Sequence, residues 1–267
     1  MYQLGVIGAG NMGMAILNGA ISSGAVNASN VAVFDPDVLK QKACAEKGCA
    51  VLADEGEVFG QSAILLFAVK PQSFEGLLIK LSALEPCRDQ IIVTIAAGVS
   101  TKYIQSYLKQ SKKLIRVMPN TPLLIGKGAS FLAKTEEVTE EEFERVHGIF
   151  RSMGVTAVIS EDKMNEIIPV NGSSPAYVYY FINAIAKSAE KMGVDFDTAL
   201  RLAAATFIGS AEMILKSGKT PEELIRQVCS PGGTTLESIK VFDAHSLYDI
   251  IDEACVKCTK RAYELGK

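Results

Sequence analysis

The sequence predicts an α/β protein in which a parallel sheet, covered by helices on both faces, is followed by an all-helical second half. Three observations carry that prediction. Through residues 1–160, short runs rich in Val and Ile alternate with amphipathic stretches, the pattern left by repeated strand-helix-strand units. The segment Gly8-Ala9-Gly10-Asn11-Met12-Gly13 follows the first such run and opens a helical one. From about Glu161 the strand patterns stop, and apolar residues recur at three- and four-residue spacing. The expected domains are therefore residues 1–160 and residues 161–267.

Taken in order, the expected strands are Leu4 to Ile7, Val31 to Phe34, Ala63 to Ala68, Ile91 to Ile95, Leu114 to Val117 and Val155 to Ile159. All read as apolar on both faces, as a sheet covered on both sides requires. Helix starts are expected at Pro36 after Asp35, at Pro71 after Lys70, and at Thr139 before the acidic turn Glu140 to Glu142. Residues Lys127 to Leu132 read as an added hairpin or edge strand.

In the second half, Pro175 to Met192, Asp197 to Lys216, Thr220 to Cys229, Thr234 to Asp243 and Ser246 to Leu265 read as helices. Thr220 with Glu223 has capping-box spacing, and so has Ser246 with Asp249. Ala199, Ala203, Ala204, Ala205 and Gly209 are small residues that let helices approach closely. A helical layer with this much apolar surface exceeds what one small domain needs to cover, so part of it is expected to form a subunit interface.

The composition excludes several function classes. A net charge of −3 and no basic excess argue against a nucleic-acid partner. Charged or polar residues break the apolar stretches before 18 residues, so no membrane span is expected. With strand-like residues at the start and no leader pattern, a cytoplasmic location is expected. The six cysteines follow no framework and read as reduced thiols. Cys255 and Cys258 share one helix face without the further ligands that zinc needs, so no metal is expected.

The glycine segment has a physical reading. Gly8 permits a tight turn, Gly10 lets the backbone approach a pyrophosphate, and Gly13 lets the helix pack on the sheet. Asn11 and Met12 begin that helix, whose free amides and dipole favour an anion. Asp35 ends the second strand where an acidic residue would bind ribose hydroxyls. Ala68-Val69-Lys70-Pro71 and Ala96-Ala97-Gly98 follow later strands and complete the expected cofactor cleft. Asp35, joined by Asp54 and Glu55 if they face the same ribose, favours NADH over NADPH. The nearest following cations are Lys40 and Lys42.

At the other end, Ser230-Pro231-Gly232-Gly233-Thr234-Thr235 places two glycines and two hydroxyls at a helix start. It reads equally well as a small-anion cradle, suited to a carboxylate, and as a plain helix-to-helix turn. A second junction of this kind is Val170-Asn171-Gly172-Ser173-Ser174-Pro175-Ala176-Tyr177.

These motifs, with Val69-Lys70-Pro71-Gln72 and Arg116-Val117-Met118-Pro119-Asn120-Thr121-Pro122, resemble those of pyrroline-5-carboxylate reductases along essentially the whole chain. The resemblance implies a Rossmann domain and a helical dimerisation domain, with dimers assembled into decamers in many members. It also implies reduction of the small imine 1-pyrroline-5-carboxylate to proline with NADPH or NADH. Carried over, the imine-binding or proton-donating threonine falls on Thr235, the carboxylate loop on Ser230, Gly232, Gly233 and Thr234, and substrate neighbours on Glu161 and Gln227. Asn120 joins the cofactor residues. Gln227 and Glu55 stand where many members have asparagine, and the family's frequent use of NADPH opposes the charge reading, so both cofactors stay open. His147 and His245, the two histidines, lie outside every motif and are expected to be structural.

Overall fold

The computed structural model describes residues 1–265. Its sheet unit runs β1 (Tyr2–Ile7), α1 (Asn11–Ser22), β2 (Val31–Phe34), α2 (Val38–Ala45), β3 (Ala50–Val51), α3 (Glu55–Gln61) and β4 (Ser62–Phe67). It continues with α4 (Pro71–Ser82), β5 (Ile91–Thr94), α5 (Thr101–Tyr107), β6 (Leu114–Met118), β7 (Gly128–Lys134), α6 (Glu140–Arg151) and β8 (Gly154–Val158). The strands form one sheet in the order β3-β2-β1-β4-β5-β6-β7-β8. All neighbours are parallel except β6 and β7.

Successive strand residues point to opposite faces, and here both sets are buried. Leu4, Val6, Ile64 and Leu66 pack with α1 and α6 through Ile16, Leu17, Phe143 and Phe150. Ile7, Leu65, Phe67 and Ile92 pack on the other side with Phe59, Phe74 and Leu78 of α3 and α4. Fully burying one such side chain stabilises by about 1.5–3 kcal/mol, so this double-sided core gives the strand ends a rigid base.

Three local expectations need correction, and one strand was missed. α2 begins at Val38 with Asp37 as its N-cap, its carboxylate accepting from Leu39 N at 2.9 Å, rather than at Pro36. Residues 128–132 of the Lys127 to Leu132 segment lie in β7, which pairs antiparallel with the preceding β6 as a hairpin does but is not an edge, because β8 pairs with its far side. That makes β8 the edge strand, and its Val155 and Val158 are exposed rather than buried on both faces. β3, two residues long, was too short to be read from periodicity.

The second half is helical: α7 (Ser174–Lys191), α8 (Phe196–Lys216), α9 (Pro221–Val228), α10 (Thr234–Ala244) and α11 (Leu247–Leu265). A π-helical turn, Ile168–Gly172, precedes α7. Thr220 and Glu223 form the capping box that starts α9. Ser246 does not cap α11 as expected, since its φ of +50° is left-handed where a capping-box residue is extended. Among the described residues, α8 is the one helix long and apolar enough to cross a membrane by length and composition alone. Its most apolar 18-residue window has a mean hydropathy of 1.3.

The chain divides into two units, one of residues 1–173 with the end of α11 from Cys258, the other Ser174–Lys257. In the second unit the buried apolar side chains among the described residues are Ala186, Ala199 and Ala203, along the α7 and α8 seam. Large side chains such as Tyr180, Leu202, Ile208 and Leu215 are exposed.

Candidate active site

In the sheet unit, the ends of β1, β2 and β4 meet where the strand order reverses, the place where open α/β sheets bind ligands. Gly8 makes the turn at φ +101°, and a Cβ there would stand 2.7 Å from the Ala68 carbonyl oxygen. A Cβ on Gly13 would stand 2.1 Å from the Gly8 oxygen, so the loop closes only over glycine. At Gly10 nothing lies within 4 Å of that position, leaving the backbone open to a pyrophosphate. Gly10 is the N-cap of α1 and offers no side-chain cap, so the amides of Asn11, Met12 and Gly13 face outward for an anion.

Asp35 is 5% exposed and fixed in place. Its Oδ2 accepts from Ala9 N at 2.7 Å and its Oδ1 from Asp37 N at 2.9 Å. Gly8, Gly10, Asp35, Glu55, Val69 and Lys70 line one cavity of about 370 Å³, to which Ala68 also contributes. Asp54, by contrast, caps α3 by accepting from Glu57 N at 2.9 Å. These residues fit a dinucleotide: an open glycine turn, an uncapped helix start, and an acceptor at the second strand.

Pro71, Ala97 and Gly98 line a different cavity of the same unit, about 500 Å³ in volume. Ser173 and Cys258 line it too, with Ser173 Oγ and Cys258 Sγ 3.2 Å apart. Asn120 lines neither cavity; its Oδ1 accepts from Ala129 N at 2.9 Å and holds the start of β7.

Glu161 is tied into the sheet unit. Its Oε1 accepts from Thr101 N at 2.7 Å, its Oε2 accepts from the Thr101 hydroxyl, and Arg116 Nη1 stands 3.7 Å from Oε1. Arg116 is buried on β6, where burial pulls its guanidinium pKa below the ordinary value against the opposing pull of Glu161. Glu161 thus holds the start of α5, just after the Ala97-Gly98 loop. Sequence reasoning read Arg116 only as part of a motif, yet a lone arginine in an apolar strand was a visible sign of a buried ion pair. Asn171, named above only as part of the second junction, has a structural role too. Its Nδ2 donates to Met118 O at 2.7 Å and to Ala129 O at 3.2 Å, riveting the π-helical turn to β6 and β7.

In the helical unit, Ser230 to Gly233 form the turn between α9 and α10. Gly232 is left-handed at φ +71°, and Gly233 N donates to Ser230 O at 2.9 Å. Gly233, not a threonine, is the N-cap of α10, and no side chain caps it. Thr234 and Thr235 occupy the first turn. Thr235, Gln227 and Cys229 line an apolar cavity of about 360 Å³.

Other reactive candidates have structural surroundings. His147 Nε2 is 2.7 Å from Thr156 Oγ1 and its Nδ1 is 3.1 Å from Glu144. His245 is the C-cap of α10. Burial, with Cys49 and Asp35 nearby, pushes the Cys44 thiol up to about 11, which keeps it protonated and a poor nucleophile.

Comparison with known proteins adds independent findings. Residues 161–265 match the family model described as pyrroline-5-carboxylate reductase dimerisation. Residues 3–98 match one described as NADP oxidoreductase, coenzyme F420-dependent. The pyrroline-5-carboxylate reductase of Escherichia coli K12 is 38% identical over 99% of this chain and 98% of its own length. The Pisum sativum enzyme of the same name is 34% identical over 99% and 96%. The solved structure of a pyrroline-5-carboxylate reductase from Coxiella burnetii superposes with a TM-score of 0.91 at 29% identity, covering 100% of this chain and 99% of that one.

Proposed function

The chain belongs to the pyrroline-5-carboxylate reductase family, and from that premise we propose how its residues carry the reaction. It is an oxidoreductase that reduces 1-pyrroline-5-carboxylate to proline with a nicotinamide dinucleotide. Reduction of the carbon-nitrogen double bond, chemistry on a CH-NH bond, needs a hydride at carbon and a proton at nitrogen. The bound dinucleotide supplies the hydride.

The protein's task is orientation. The uncapped start of α1 and the Gly8 to Gly13 loop hold the pyrophosphate, and Asp35 accepts from ribose hydroxyls. The loop ends Ala68 to Pro71 and Ala97-Gly98 border the nicotinamide. Glu161 positions the second of these loops through Thr101, rather than only touching substrate. The amides at the start of α10, with Ser230, Gly232, Gly233 and Thr234 around them, take the substrate carboxylate. The Thr235 hydroxyl donates to the imine nitrogen, polarising the double bond and passing a proton inward without being a strong acid. Gln227 lines the wall beside it. Well-aligned placement of this kind can supply ~7–11 kcal/mol of the barrier.

What supports the substrate assignment is the α10 start, where a left-handed glycine, an N-cap glycine and two threonines leave free amides beside an apolar cavity. The helical half forms oligomers through its dimerisation region. We place the basic unit at a homodimer, with the decamer as its higher form, working in the cytoplasm. Proline formation with 1-pyrroline-5-carboxylate, followed as loss of NADH or NADPH absorbance, tests the function beside a 3-hydroxy acid control supplied with NAD⁺ or NADP⁺ and followed as gain of the same absorbance. Turnover of the imine alone is expected; turnover of the hydroxy acid alone would place the chain with another class of dehydrogenase.

A further inference from the structure

Five charged side chains line the cavity at the ends of β1, β2 and β4: Asp35, Lys40, Glu55, Lys70 and Lys80. No arginine lines it among the described residues. Lys40 Nζ lies 3.6 Å from Asp35 Oδ1 and 4.0 Å from Asp37 Oδ2, so it already faces two carboxylates. Lys80 pairs with Glu55, and that hydrogen bond raises the ammonium pKa above its ordinary value. Lys70 is the N-cap of α4, two residues beyond Ala68, whose carbonyl oxygen a Cβ on Gly8 would meet at 2.7 Å.

The adenine ribose belongs beside Asp35, at the end of the second strand. That carboxylate cannot turn away, because backbone amides of Ala9 and Asp37 hold one oxygen each. An acceptor-only group there welcomes two ribose hydroxyls and repels a 2′-phosphate. A phosphate would need cations free to pair with it, preferably a bidentate arginine. The cation within reach on α4 is held by Glu55, at the first turn of α3.

Resting on the reading of this chain as a nicotinamide-dependent reductase, we infer that the site selects NADH over NADPH, and that Glu55 enforces the choice by holding Lys80. Asp35 supplies the direct repulsion. Glu55 adds a second negative charge and cancels the cation that could otherwise offset it. The two carboxylates therefore act on the same discrimination, Asp35 from the end of β2 and Glu55 from the first turn of α3.

Isothermal titration of NAD⁺ and NADP⁺ into the wild-type protein, Glu55→Gln, and Glu55→Gln with Lys80→Met tests this without relying on turnover. Wild type is expected to bind NAD⁺ at least about 10-fold more tightly than NADP⁺. Glu55→Gln is expected to tighten NADP⁺ by about 5-fold or more relative to NAD⁺, and the added Lys80→Met to remove that gain. Equal or tighter NADP⁺ binding by wild type would overturn the inference, as would a Glu55→Gln ratio that does not move or a gain that survives loss of Lys80. Absence of binding by both nucleotides would overturn the dinucleotide site itself and the preference with it.

Discussion

Phe67 and Phe74 meet edge to face inside the sheet unit, ring centroids 5.5 Å apart and both fully buried, whereas Tyr180 and Leu215 on α7 and α8 are each 75% exposed. The contrast extends across the two units. None of the three apolar clusters among the described residues includes a side chain from Ser174–Lys257. The sheet unit is finished in one chain, with a core that fixes Gly8, Asp35 and Glu161 by backbone hydrogen bonds. The helical unit is unfinished, because alanines seal α7 against α8 while the large apolar residues face outward. Apolar surface of that extent marks an interaction site, and the dimerisation match supports oligomer formation through this half. The sheet unit thus completes its core within one chain, whereas the helical unit leaves apolar surface open for the oligomer that the match supports.

The largest effect should come from attacking that open surface. Ile208 and Leu215 lie seven residues apart on one face of α8 and are exposed in the single chain. Replacing both with glutamate removes no core contact, but buries two unpaired charges at a helical interface, which costs several kcal/mol. Light scattering should show a shift toward 28.6 kDa, and proline-forming activity should fall by roughly 100-fold or more. Retained mass and activity would mean that this face of α8 is not the interface.

Thr235→Ala tests the helical site without touching assembly. One polar transition-state contact of ~1.4–2.7 kcal/mol predicts a fall in kcat/KM of about 10- to 100-fold, with unchanged mass. Wild-type kinetics would remove Thr235 from its role.

Glu161→Ala probes the finished half. It leaves Arg116 buried without its carboxylate and Thr101 N without its acceptor. Urea unfolding should show a loss of about 1–3 kcal/mol, together with a raised KM for the dinucleotide as the Ala97-Gly98 loop loosens. No change in either quantity would contradict the positioning role.

The smallest effect belongs to His147→Gln combined with His245→Gln. Activity should stay within about 2-fold of wild type, since the lost Thr156 contact is a single hydrogen bond of ~1 kcal/mol and neither histidine lines any of the three cavities. A loss of about 100-fold would make a histidine essential and displace the threonine-centred chemistry.

How far the sequence could be read follows the same division. Alternating Val and Ile, and glycines demanded by backbone clashes at Gly8 and Gly13, are local facts, so β1, β2, β4, β5, β6 and the cofactor loop were legible. The position of β7 was not, because its place between β6 and β8 depends on pairing across the sheet. Nor was the Glu161 carboxylate, whose partner Thr101 is 60 residues away. Helix periodicity located α7 to α11 within a residue or two, and the excess of apolar positions already signalled an interface. Which faces close on a partner is a property of two chains, and one sequence does not display it.

The most direct test is light scattering on the wild-type protein eluting at micromolar concentration, with proline formation measured on the same fractions. The account predicts that activity follows a species of at least twice 28.6 kDa, with no turnover in any single-chain fraction. A 28.6 kDa species that reduces the imine at the full rate would contradict it.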